Sequence, residues 1–310
     1  MHVKRKQSNF NTTRIVTEAP KNKEFKSLVS LLDDPDEEVF ENVFQKLVEY
    51  GPQVIPSLES EWEHNLDEVV QERLENLIHT IQFDALKNEL TTWVLVNPND
   101  LLQGALIVNK FLYPEADNKK LVVQIEELKK NIWIELNYHL TPLEQVSIFN
   151  TIFYKHLQFA ANTEMPHDPK NSFIGYVLES KKGNPIGIGL LYLLLAQQLH
   201  MPVYGVCLKN YFVLCYIDSE VFNLDPGMMN SNDILFYINP FNKGSLFKRP
   251  EIIAYLKSIK TENKEQYFNP ATSKEVLLEA LSVVSLDYQM QGNKDKMEEL
   301  MQLKQILSKP

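Results

Sequence analysis

The chain has few cysteines, few glycines and no long apolar run, and each scarcity excludes a class of protein. Two cysteines among 310 residues are too few for a disulfide framework and suit a reducing cytoplasm. The ten glycines include no phosphate-binding loop and no dinucleotide fingerprint. No apolar stretch reaches the roughly 20 residues that a membrane-spanning helix needs. No apolar segment follows the basic start of the chain, so we also expect no signal peptide.

Positive charge and close histidine spacing are lacking as well. The 41 acidic residues exceed the 31 Lys and Arg residues, which gives a net charge of −10. A general nucleic-acid binder needs a basic surface, so we expect no nucleic-acid partner, and we expect no membrane partner either. The seven histidines show no local zinc spacing, so we expect no metal site and no cofactor.

The most informative stretch is the segment 183–200. Asn184 followed by Pro185 predicts a helix start, because Asn caps free N–H groups and Pro fits the first helical position. The next dozen residues are apolar on nearly every side, which predicts a buried central helix. Gly187 and Gly189 weaken a helix, so we expect another backbone to approach closely there.

The rest of the chain predicts an α+β protein with four parts. Residues 1–24 form a basic arm, and residues 25–95 form short amphipathic helices that resemble HEAT repeats, with a plain helical bundle as the alternative. Residues 96–260 contain leading helices, the central helix and β-rich runs that predict an antiparallel sheet. These runs are residues 203–208, 211–217, 221–224 and 234–238. Residues 261–310 predict a helical hairpin, which resembles one tetratricopeptide unit or simply covers the sheet.

Five segments in a fixed order carry a resemblance to a known family. They are DPKNSF at 168–173, VLE at 177–179, KGNPI at 182–186, MPVYGV at 201–206 and INPFNKG at 238–244. In this order they resemble the transglutaminase-like superfamily, whose papain-like fold sets a central helix against an antiparallel sheet. Within it, the chain is similar to a bacterial branch of invasion-gene regulator homologues, in which such a core precedes a tetratricopeptide-like tail.

The resemblance also implies where catalytic residues would lie. Active members use a Cys at the start of the central helix, a His on the following strand and an Asp that orients the His. Here those positions hold Pro185, Tyr211 and Asn239, with Asp225 as an alternative third member. None of these side chains can replace the nucleophile or the base at neutral pH. The resemblance therefore implies a non-catalytic domain, whose candidate groove is formed by Asn184, Pro185, Asn210, Tyr211 and Asn239.

Three functional hypotheses follow. In the favoured one, the protein is an interaction, scaffold or regulatory protein whose groove binds a peptide or protein partner. In the second, it is a cysteine hydrolase or acyltransferase with a rearranged site that uses Cys207 or Cys215, although cysteines in predicted strands favour a structural role. In the third, it is a small-molecule binding module with its groove between the helix start and Tyr211. For the histidines near the core, surface or capping roles are favoured; these are His156, His167 and His200.

Overall fold

The computed structural model describes residues 22–137, 139–208, 211–218, 229, 231–262 and 264–309. The chain divides into two compact units, Met1–Ala85 and Leu86–Pro310, and the division falls inside one long helix. The predicted basic arm lies outside the described residues up to position 21, and residues 22–24 belong to the first helix. No helix in the described ranges is both long and apolar enough to cross a membrane.

The first unit is helical, as predicted. It contains α1 (Asn22–Val29), α2 (Glu37–Tyr50), α3 (Ile55–His64) and the first part of α4 (Glu68–Val96). Their apolar stripes share one core, in which Leu32, Leu47 and Leu74 are fully buried. Asp36 starts α2 because its carboxylate accepts hydrogen bonds from two backbone N–H groups of the first turn. The fourth helix is longer than the predicted stripe at 69–81 and continues to Val96.

The second unit is a layered α+β structure. Its helices are the end of α4, α5 (Leu101–Asn109), α6 (Asn118–Trp133), α7 (Pro142–Asn150), α8 (Ile174–Ser180), α9 (Pro185–Gln198), α10 (Arg249–Ser258), α11 (Ser273–Gln291) and α12 (Lys294–Leu307). Its strands are β1 (Ala160–Ala161), β2 (Lys182–Gly183), β3 (Val203–Leu208), β4 (Tyr211–Ile217), β5 (Ile234–Asn239) and β6 (Ser245–Phe247). Strands β1 and β2 form a short parallel pair, and β3 to β6 form an antiparallel sheet in sequence order.

The central helix is α9, and its predicted burial is confirmed. Every residue from position 186 to 196 is buried. Burying one large apolar side chain stabilises a fold by about 1.5–3 kcal/mol, so α9 is the main apolar element of this unit. At Gly187 an added Cβ would lie 1.9 Å from the backbone oxygen of Asn171, which confirms the predicted backbone approach. At Gly189 the expectation was wrong, because the close neighbour is the ring of Phe212 at 2.7 Å.

The sheet separates two groups of helices. Phe212 faces α9, where its ring lies against Gly189. Side chains alternate between the faces of a strand, so Tyr211 and Val213 point to the other face. There they pack with Ile252 and Leu256 of α10. The segment before α11 lies at the β3 edge, where the N–H of Ala271 donates to the carbonyl of Gly205 at 2.7 Å.

Several predicted boundaries changed. The predicted helix 141–156 consists of α7, which begins with the predicted capping box at Thr141, followed by a π-helical segment, Thr151–His156. Strands β1, β2 and β6 were not predicted, because two or three residues are too few to show a periodic pattern. The predicted strand 221–224 lies outside the described residues. The C-terminal helical pair α11–α12 is confirmed, with Gly292 at φ 73° between the two helices.

Candidate functional site

The position of the expected nucleophile is the first residue of α9, Pro185. It is half-buried and follows the helix cap Asn184. Asn184 Oδ1 accepts a hydrogen bond from Gly187 N at 2.9 Å, and its Nδ2 donates to Ser172 Oγ at 2.7 Å. Both ends of this buried amide are therefore paired within the protein. Proline contributes no N–H to the helix end, so one donor that could stabilise an anion there is absent.

A buried asparagine network holds this helix start in place. Asn162 Nδ2 donates to Asn171 Oδ1 at 2.8 Å, and Asn171 Nδ2 donates to the carbonyl of Met165. The backbone N–H of Asn162 also donates to the carbonyl of Gly183 at 2.8 Å. Asn162, Asn171 and Asn184 are all at most 4% exposed. Satisfied buried amides of this kind fix a local geometry, so the residues before α9 form a rigid support.

Tyr211 and Asn239 are brought together by the fold. The Tyr211 hydroxyl donates to Asn239 Oδ1 at 3.3 Å, although 28 residues separate them. The same oxygen accepts from the backbone N–H groups of Phe241 and Asn242, both at 3.1 Å, and so caps a short 3-10 turn. Burial raises the pKa of Tyr211, and its hydrogen bond to Asn239 opposes this shift. The pair thus has no base that ionises near neutral pH.

Other side chains hold the turn at 239–244 beside α9. Asn150 Nδ2 donates to the carbonyl of Gly244 at 2.9 Å, and Asn150 Oδ1 accepts from the Tyr192 hydroxyl of α9 at 3.0 Å. The Tyr154 hydroxyl donates to the carbonyl of Pro240 at 2.8 Å. The turn is therefore anchored to α7, to the π-helical segment after it and, through Asn150, to α9. Asn184 and Pro185 nevertheless form no hydrogen bond with Tyr211 or Asn239 among the described residues. Asn210 and Asp225 lie outside these residues.

The two cysteines have thiols that disfavour ionisation. Burial raises the pKa of Cys207, and the carboxylates of Glu279 and Glu275 raise it further. Cys215 is fully buried, and burial raises its thiol pKa as well. A nucleophilic cysteine needs the opposite shift, toward the thiolate. Among the described residues, no cation lowers the pKa of either thiol.

One of the histidines near the core pairs with a buried carboxylate. His167 Nδ1 lies 3.3 Å from Asp287 Oδ1, across 120 residues of chain. Asp287 is 3% exposed, and burial raises its pKa, with His167 opposing. His156 and His200 are exposed. Within the ranges that the structure describes, no group of three or more His, Cys, Asp or Glu side chains could hold a metal ion.

Two buried polar residues were missed by sequence reasoning. Asp287 occupies the apolar face of α11, between Val284 and Tyr288, and Asn109 ends the apolar run of α5. A polar residue inside an apolar stripe is the signal that could have identified both. Asn109 is 1% exposed, and its Oδ1 accepts from Gly175 N at 2.9 Å.

Comparison with known proteins connects the chain to a protein family. A family model described as the transglutaminase-like superfamily matches residues 119–282, which is more than half of the chain. A UPF0162 protein of Vibrio cholerae is 27% identical over 157 residues, which are 51% of this chain and 53% of the relative. A UPF0162 protein of Xylella fastidiosa is 26% identical over 128 residues, 41% of this chain and 45% of the relative.

A more distant relative extends the same pattern. A UPF0162 protein of Buchnera aphidicola is 24% identical over 172 residues, 54% of this chain and 58% of the relative. The chain thus spans about half the length of the relatives that it matches. No solved structure is significantly similar to the chain.

Proposed function

The chain belongs to the transglutaminase-like superfamily, and we propose that it is a non-catalytic member, an interaction or scaffold protein that binds a peptide or protein segment. One observation carries this proposal. The three positions that the family resemblance assigns to Cys, His and Asp hold a helix-initiating proline and a Tyr211–Asn239 hydrogen-bonded pair. Nucleophilic acyl transfer needs an ionisable nucleophile and a base near neutral pKa, and these side chains supply neither.

The same positions offer a partly exposed surface for a partner. Pro185, Tyr211 and Asn239 are each half-buried, whereas Asn184 is buried and serves as support. The asparagine network holds the start of α9, and the Asn150 contacts hold the turn at 239–244. A preformed groove binds an extended peptide at low cost in conformational entropy. The resemblance to invasion-gene regulator homologues, with their tetratricopeptide-like tails, is consistent with a role in protein binding.

The alternative of a cysteine hydrolase or acyltransferase is less well supported. Its candidate nucleophiles, Cys207 and Cys215, both have raised thiol pKa values. Alkylation of the native chain with iodoacetamide across a pH series, with site assignment by mass spectrometry, tests this directly. We expect neither thiol to react below about pH 8. A thiol that reacts with an apparent pKa near 6 would overturn the non-catalytic assignment.

Binding itself is tested with peptides selected from a random library against the full chain. We expect at least one selected peptide to bind Tyr211→Ala about tenfold or more weakly than the native chain, because truncating a buried aromatic anchor removes 1 kcal/mol or more. Tyr267→Ala, in a tyrosine outside the groove, is the matched control and should bind as the native chain does. Selected peptides that bind both variants equally well would show that peptides do not bind at the proposed groove.

A further inference from the structure

A cavity lies beside the end of α5, α6 and α8 in the C-terminal unit. It has a volume of about 590 Å³ and is lined by Asn109, Leu112, Tyr113, Leu121, Gly175 and Glu179, among others. These residues come from the end of α5, the following loop, α6 and α8. The volume falls within the range of small-molecule and side-chain pockets, roughly 300–1,000 Å³. None of the described groove residues lines it; these are Asn184, Pro185, Tyr211 and Asn239.

The wall of this cavity contains a buried amide with one unused hydrogen-bond donor. Asn109 Oδ1 accepts from Gly175 N at 2.9 Å, in the first turn of α8, which lacks a side-chain cap of its own. Because that N–H must meet an oxygen, the contact fixes the orientation of the amide. Asn109 Nδ2 then has no hydrogen-bond partner within the part of the chain that the structure describes. Leaving such a donor unpaired costs about 1–3 kcal/mol, so an acceptor that reaches it is favoured.

Gly175 packs directly against this amide. A Cβ at this position would lie 2.9 Å from Asn109 Oδ1 and 3.1 Å from Nδ2. Any larger residue would therefore press on the amide from the side of α8. Gly175 and Asn109 both line the cavity, and the lack of a side chain at position 175 lets α8 approach the amide closely.

The charged residues that line the cavity favour a positively charged ligand. Three carboxylates line it, those of Glu115, Asp117 and Glu179, against the single ammonium of Lys120. Burial raises the pKa of Tyr113 in the wall, and the negative charges of Glu179 and Asp168 raise it further. A carboxylate or phosphate ligand would be repelled here, whereas a cation would be attracted.

We propose that this cavity binds a lysine or arginine residue of an extended peptide segment. A backbone carbonyl of the segment accepts a hydrogen bond from Asn109 Nδ2. The aliphatic part of its side chain lies against Leu112 and Leu121, and its cation lies at the exposed carboxylate of Glu179. This site is separate from the groove at Tyr211, so either proposal can be wrong while the other is right.

A blocked lysine, N-acetyl-lysine N-methylamide, is the probe that tests the site. It is titrated into isotope-labelled full chain while the side-chain NH₂ signal of Asn109 is followed by NMR, with assignment from its loss in Asn109→Asp. We expect a saturable shift of this signal. The matched probe, N-acetyl-norleucine N-methylamide, lacks the charge and should bind about two- to fivefold more weakly, as expected for a solvent-exposed ion pair.

The variant that isolates the charge is Glu179→Gln, which changes an exposed side chain and should leave the fold intact. It should weaken binding of the lysine probe to the level of the norleucine probe. Glu262→Gln, the same change at an exposed position outside the cavity, is the control and should have no effect. An Asn109 signal that does not respond to the probe, equal binding of the two probes, or unaltered binding by Glu179→Gln would each overturn the proposal.

Discussion

Asn184 and Asn109 are buried asparagines in the same unit, and their environments differ in one respect. Each accepts a hydrogen bond at 2.9 Å from a backbone N–H in the first turn of a helix, Gly187 for one and Gly175 for the other. Asn184 also donates to Ser172 Oγ, whereas Asn109 Nδ2 has no partner among the described residues. A buried amide whose oxygen and nitrogen both have hydrogen-bond partners stabilises the fold. A buried amide with an unpaired donor costs stability until an acceptor reaches it.

The same contrast separates the two sites of the unit. The start of α9 is supported by buried amides that are paired within the protein, so its geometry is fixed before any ligand binds. In the wall of the cavity, Asn109 Nδ2 is a buried donor without a partner among the described residues. The first site lies at the positions that the family resemblance assigns to catalytic residues, and the second shares no residue with it.

The largest effect is expected where the asparagine network touches α9 most closely. Gly187→Ala would place a Cβ 1.9 Å from the backbone oxygen of Asn171, which no side-chain movement can relieve. We expect the free energy of unfolding to fall by about 3 kcal/mol or more, measured by urea denaturation. Gly189→Ala is the comparison, because its neighbour is the side chain of Phe212, and it should cost less. Equal stability of Gly187→Ala and the native chain would contradict the close backbone approach.

The comparison of the two asparagines is tested by removing each amide. Asn184→Ala leaves both Gly187 N and Ser172 Oγ without their partner, so we expect a loss of about 2–3 kcal/mol. Asn109→Ala removes the same atoms but leaves only Gly175 N unpaired and deletes an unsatisfied donor, so we expect a loss of about 1 kcal/mol. Both are measured by urea denaturation under one set of conditions. A larger loss for Asn109→Ala would show that its Nδ2 is already paired.

The partly buried carboxylate of Glu279 provides a test with a charged group. Burial raises the pKa of Glu279 to about 6, with Lys304 opposing. Because the folded-state pKa lies above the unfolded value, the stability that this group contributes is complete below about pH 4 and is lost as the pH rises through about 6. Glu279→Gln cannot ionise, so near pH 8 it should be more stable than the native chain by about 1–2 kcal/mol.

The pH dependence is the decisive part of that measurement. Thermal or urea unfolding of Glu279→Gln and of the native chain should give a difference that shrinks toward zero as the pH falls to about 4. Glu262→Gln, at an exposed position, provides the baseline for a charge change without burial. A stability difference that is the same at every pH would contradict the raised pKa.

The smallest effect is expected at Tyr211→Phe. The substitution removes a donor from Asn239 Oδ1, but this oxygen keeps its bonds to two backbone N–H groups at 3.1 Å. We expect a loss of about 0.5 kcal/mol in unfolding free energy and little change in the affinity of a selected peptide. A loss of affinity of about tenfold, equal to 1.4 kcal/mol, would instead mean that the hydroxyl contacts the partner.

The sequence was most informative where the signal is local. The start of α9 follows from Asn184 and Pro185, and its burial follows from an apolar run without a polar face. Strands β3 and β4 have the predicted bounds because each is a run of β-branched and aromatic residues between turn residues. The candidate site was less predictable. The residues at the family positions could be read, but the hydrogen bond between Tyr211 and Asn239 depends on sheet register, which a single strand does not encode.

By itself, then, the sequence determined the α+β class and the central helix with its cap, because these depend on residue identity and short-range periodicity. The tertiary structure alone decided which buried polar groups are satisfied. Asn109 meets Gly175 across 66 residues, and Asp287 meets His167 across 120. Such pairings depend on how helices and loops pack in three dimensions. Whether a buried donor has a partner can be decided only when that packing is known.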